Sequence, residues 1–150
     1  MQKYYKKITS FLICFIFIQI NLLSYPPAPH HTFEGMLRDE FGRPIVNENV
    51  KIEFLNNNDI KIESKVSKII TAGINYRIEV PMDSGSVDKL YKPFATTQNM
   101  PFKIIVRIGN KTFLPIEMIG SSNNIGMPSG VTILDLTLGE DSDRDGLPDA

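Results

Sequence analysis

Asp141, Asp143 and Asp145 occupy every second position near the end of the chain, followed by Gly146, Leu147 and Asp149 in the run DSDRDGLPDA. Carboxylates at that spacing suit a hard cation. Calcium takes about six to eight oxygen ligands, and a loop supplies them by turning alternate side chains inward. In a twelve-position calcium loop, Asp141, Asp143 and Asp145 fall at positions 1, 3 and 5, and Gly146 at position 6, where the chain must bend sharply. Leu147 at position 7 offers its backbone carbonyl, and Asp149 at position 9 a carboxylate, directly or through water. The expected metal ligands are therefore Asp141, Asp143, Asp145, Leu147 and Asp149, with calcium as the ion. The competing reading is an acidic run that faces solvent, and a glycine at the sixth position argues against it. The twelfth position, which normally supplies a bidentate carboxylate, would fall beyond Ala150. The expectation is a sequence that continues into further repeats, because clustered carboxylates repel one another unless a cation offsets them.

No second constellation of this kind is present. The chain carries no G-x-S-x-G, no histidine spacing suited to a metal and no phosphate-cradling glycine loop. Ser84 and Ser129, each beside a glycine, read as turn residues rather than nucleophiles. His30 and His31 follow a proline-rich stretch and read as a solvated pair. Glu53 and Glu79 fall on the polar faces of strands, where solvation is the default. Catalysis within these residues is not expected.

The elements that must position the acidic run begin after a targeting segment. Residues 1–24 combine Lys3, Lys6 and Lys7 with an apolar run from Phe11 to Leu23, broken only by Gln19 and Asn21, and end on the small residue Ser24. This is the pattern of a secretory signal peptide, and the run is shorter than the roughly 20 residues that span a bilayer. Cys14 lies inside the apolar run behind Ile13, unlike a lipid-anchored cysteine. Loss of this segment removes the only cysteine and three lysines, leaving 13 basic residues against 17 acidic, a net charge of −4. A secreted or cell-envelope domain without disulfides is expected, with no stable membrane insertion after cleavage and no nucleic-acid partner.

Residues 25–31 form a proline-rich leader, and from Thr32 the apolar period is two. Strands are expected over Thr32–Arg38, Asn49–Leu55, a segment containing Ile60, Ile62 and Val66, Ile74–Val80, Phe102–Ile108, Lys111–Ile116 and Val131–Leu138. Gly109-Asn110 between two such runs predicts a tight hairpin, and Pro115 marks a strand edge or end. Met82–Met100 and Gly120–Gly130 are loop-rich. About seven strands with no helical period predict an all-β fold, an antiparallel β-sandwich over residues 32–138, with residues 139–150 as an incomplete calcium-binding repeat. Tyr76 shares a face with Ile74 and Ile78 and belongs to the core.

Phe33-Glu34-Gly35-Met36-Leu37-Arg38-Asp39-Glu40-Phe41-Gly42-Arg43-Pro44-Ile45, followed by Val50-Lys51-Ile52, resembles the opening of carboxypeptidase regulatory-like (transthyretin-like) domains. Asp39 and Gly42 suit the turn, and Pro44 sets the direction into the next strand. Tyr76 to Pro81 resembles a later strand of that family. The resemblance implies an accessory module of a secreted or envelope protein. Some relatives close a Lys–Asn isopeptide bond from their first strand, but residues 32–38 hold no lysine to carry it. The D-x-D-x-D-G-L-P-D run resembles thrombospondin type 3 repeats; a dockerin repeat is the second candidate, without a duplicate copy or flanking helix.

The functional expectation is a non-catalytic structural or adhesion module, ordered by calcium, whose partner is an unidentified extracellular protein or polysaccharide. The alternative is an accessory or carbohydrate-binding module of a larger secreted enzyme. For sugar binding, Tyr91 and Phe94 are the surface aromatics to consider. Asn110-Lys111-Thr112 matches a glycosylation acceptor, although the hairpin explains Asn110 without it.

Overall fold

The computed structural model of this chain describes residues 28–46, 49–56, 61–66, 71–84, 94–120 and 124–149. The signal-peptide reading, Ile60 and Tyr91 lie outside them. Eight strands and no helix occur among the described residues: β1 (His31–Gly35), β2 (Leu37–Arg38), β3 (Val50–Asn56), β4 (Lys61–Lys65), β5 (Tyr76–Val80), β6 (Phe102–Ile108), β7 (Lys111–Gly120) and β8 (Val131–Glu140). The alternating segments became strands because period-two burial requires one apolar face. In β5, Tyr76, Ile78 and Val80 are buried while Arg77 and Glu79 are exposed.

The sheet runs in the order β4-β3-β6-β7-β8-β1-β5, with β2 also paired to β8. It curls toward closure: Ser64 Oγ on β4 donates to the Arg77 carbonyl on β5. The all-β expectation holds, but the sheet is mixed and barrel-like, and a purely antiparallel arrangement needs correction. Both β1 and β2 run parallel to β8, in the registers Thr32↔Val131 and Leu37↔Leu136. Hydrophobic alternation selects a face and is blind to strand direction, so this pairing was not legible from pattern.

Phe33, Phe54 and Phe102 meet at centroid separations of 4.8–5.3 Å inside the curl, joining β1, β3 and β6. Ile52, Tyr76, Ile78, Leu136 and Leu138 extend this core. Gly35 permits a close approach beside it, because a Cβ there would stand 2.2 Å from the Leu134 carbonyl oxygen. The Tyr76 hydroxyl donates to that same oxygen.

The expected first strand is broken at Met36, where β1 ends and β2 begins. Asn75 fills the break. The expected strand began at Ile74, but β5 starts only at Tyr76, and Asn75 just before it is fully buried. Its Oδ1 accepts from Leu37 N at 2.7 Å, and its Nδ2 donates to the carbonyls of Leu37 and Ile45. This buried amide supplies the acceptor for Leu37 N and adds a second bond to the Leu37 carbonyl, which also accepts from Ile45 N.

The 25–31 leader also needs correction at its end. His31 begins β1 and is buried, while His30 is exposed and lies 3.7 Å from Glu79. His31 Nδ1 donates to the Met127 carbonyl at 2.9 Å, and Nε2 pairs with Thr132 Oγ1 at 2.9 Å. The carbonyl can only accept, which places a proton on Nδ1. The ring packs edge-on against Phe33 and against Gly126 and Gly130, where a Cβ would come within about 3 Å of it. This contact anchors the turn-rich segment 124–130.

Candidate metal centre

The acidic run is mounted on the hairpin that the sequence predicted. Gly109 adopts a positive φ of 60° at the first of the two turn residues, as a type II′ connection requires. Antiparallel β6 and β7 follow from it. β8 pairs along β7 as far as Phe113↔Glu140, and Asp141 N then donates to the Thr112 carbonyl at 3.0 Å. The first carboxylate is thereby tied to the hairpin.

Beyond Asp141 the chain closes on itself. Asp149 N donates to the Glu140 carbonyl at 2.7 Å, and the Asp149 carboxylate accepts from Ser142 N at 3.2 and 3.3 Å. Asp143 Oδ1 accepts from Asp145 N at 3.2 Å, and Asp145 Oδ1 from Leu147 N at 2.8 Å. Each aspartate thus turns the backbone two residues ahead of it, as this residue type does in loops. Gly146 has φ 88° with open space around it, so its backbone angle, not crowding, makes glycine the suitable residue.

Asp141, Asp143 and Asp145 each present one carboxylate oxygen within 4.8 Å of the other two. Asp143 and Asp145 are exposed, whereas Asp141 is 4% exposed. Its Oδ1 is buried with no hydrogen-bond partner among the described residues. Such a group costs free energy unless something pairs with it. Three carboxylates at this separation repel by about 1 kcal/mol per pair in water, and a divalent cation among them reverses the sign of that energy.

Of the five expected ligands, the structure gathers three. Asp149 is used to close the loop, and Leu147 meets the cluster through its amide N–H. The set is all oxygen and hard in character, which suits calcium or magnesium rather than a thiophilic metal.

Elsewhere, the charged groups are held in place by one another. Glu53 is only 3% exposed, although it lies on the outward side of β3. Arg107 Nε at 2.8 Å and Lys61 Nζ at 2.7 Å share its Oε1. Burial alone would push this carboxyl up, but the hydrogen bonds and positive charges of Lys61 and Arg107 outweigh it and hold it below its ordinary range. The alternation correctly placed Glu53 on the polar face; its burial comes from the side chains folded over it. Burial, reinforced by Asp135, raises the Tyr76 phenol far above its ordinary range. Compared with family models, with curated proteins and with solved structures, the chain finds no match.

Proposed function

We propose that this protein is a non-catalytic extracellular structural or adhesion module whose acidic loop, built on Asp141, Asp143 and Asp145, takes up calcium. The observation that carries the reading is the buried, unpartnered Oδ1 of Asp141 beside two exposed carboxylates. Calcium fits better than magnesium because the loop is irregular and its oxygens are few and unequally exposed, whereas magnesium demands near-ideal octahedral geometry. Water or further oxygens complete the ion's shell.

The carboxypeptidase regulatory-like reading is part of the same proposal. It is supported by the Asp39 turn, where Oδ1 accepts from Phe41 N and Arg43 N and Gly42 takes a φ of 78°. On this reading, the walls that meet at the Phe33–Phe54–Phe102 cluster correspond to the layers of the implied sandwich. The secreted location rests on the charge and apolar pattern of residues 1–24.

The role of the ion is structural. A ligand that binds only the folded form stabilises it by about 1.4 kcal/mol at ten times its Kd. Calorimetric titration of the protein with calcium should show saturable binding that Asp143→Ala abolishes. Equal heats from both proteins would overturn the ligand assignment.

A further inference from the structure

The barrel has an open seam. β6 pairs with β7 only from Val106↔Phe113 to Ile108↔Lys111, whereas β7 continues to Gly120 along β8. Past that point, Phe102–Ile105 is paired on its β3 side and residues 114–120 on their β8 side. Two strand edges therefore diverge. An irregularity between Pro115 and Glu117 and the missing N–H of Pro115 accompany the separation. Between the edges lies a cleft of about 390 Å³, largely apolar, lined by Ile104, Leu114, Pro115 and Met118.

The segment that borders this cleft belongs to the acidic loop. Gly146, Leu147 and Pro148 also line it. Pro148 and Ile116 crowd around Gly139, where a Cβ would stand 2.9 Å from Pro148 Cβ and 2.7 Å from Ile116 Cγ2. Leu147 is 66% exposed, and its amide is held by Asp145 Oδ1 at 2.8 Å. One carboxylate of the candidate cation cluster is therefore bonded to the backbone that walls the seam.

We infer that residues 146–148 are a cation-controlled strap over the open seam between β6 and β7. The inference rests on the cation reading of the Asp141, Asp143 and Asp145 cluster. Without a cation, repulsion among the carboxylates opposes the turn that presents Leu147 and Pro148; with one, the turn is fixed and the strap stays against the cleft. This chain's own Leu147-Pro148 forms one wall of the cleft. The device shields two strand edges that could otherwise pair with another chain, the recognised hazard of unpaired strands.

Hydrogen exchange read by mass spectrometry, in calcium and in chelator, tests the strap on the protein and on the variant Pro148→Gly, which removes the ring packed on Gly139 and touches no assigned ligand, with calorimetry on both. Expected are retained calcium binding in both proteins and several-fold slower exchange over 102–105 and 114–119 in calcium for the parent alone. Peptides from β3 serve as the internal control. Calcium binding with protection confined to 141–149, or equal seam protection in the variant, would overturn the strap while leaving the cation site standing. Absence of calcium binding in the parent would remove the cation site and the strap with it.

Discussion

Two polar clusters of this molecule are buried on opposite terms. Asn75 and His31 sit within the curled sheet with their polar atoms matched to backbone or hydroxyl partners, while Asp141 sits at its margin with a buried oxygen that has none among the described residues. The first arrangement is complete and acts as an internal brace. The second, on the proposed reading, is completed by a cation. The contrast separates polar residues that specify the fold from those available to a ligand, and burial by itself does not make the distinction. Unsatisfied valence does.

The strongest way to break the comparison is to remove the brace. Asn75→Ala strips Leu37 N of its side-chain acceptor and leaves a small void, and should cost about 2–4 kcal/mol in denaturant unfolding. A loss under about 1 kcal/mol would mean that water replaces the amide and that the brace is not essential. Next comes Gly126→Ala, whose Cβ would press to 2.5 Å from the His31 ring. Overpacking of this kind should cost about 1–3 kcal/mol, and combining it with His31→Ala should recover part of the loss.

Asp141→Asn sharpens the other side. By discharging a buried oxygen without a partner, it should raise stability in chelator by about 1 kcal/mol and remove the calcium-dependent rise in Tm. A variant destabilised in chelator would show that the carboxylate is already satisfied without metal.

The smallest effect concerns Glu53, the charged counterpart of the brace. Its folded pKa lies below the unfolded one, so its stabilising contribution is present above the unfolded carboxyl range, near pH 4.3, and is lost as pH falls through the lower folded value. Glu53→Gln should therefore lower Tm at neutral pH and converge on the parent as the solution is acidified below about pH 4. A gap that stays constant across the titration would assign the loss to packing rather than charge.

Much of the strand layout was legible because alternation is local. Val50–Asn56, Tyr76–Val80, Phe102–Ile108 and Val131–Glu140 lie within a few residues of their expected bounds. β7 runs to Gly120, beyond the expected stop, because Pro115 meets β8 at a bulge after its pairing with β6 has ended. The reading of His31 as solvated fails because nothing adjacent in sequence announces Met127 or Thr132 as partners, about a hundred positions away. The cluster itself was visible in part. Spacing identified Asp141, Asp143 and Asp145, whose carboxylates lie together, but it did not announce that the Asp149 carboxylate accepts from Ser142 N.

The sequence by itself determined which faces of the strands are apolar, where the Gly109-Asn110 hairpin turns and which aspartates alternate, because each depends on neighbours within a few residues. Only the tertiary structure decided that β1 and β2 run parallel to β8, that His31 and Asn75 are interior, and that Asp141 is desolvated while Asp143 and Asp145 remain in water. Direction of pairing and depth of burial are set by contacts between distant segments, and no local period encodes them.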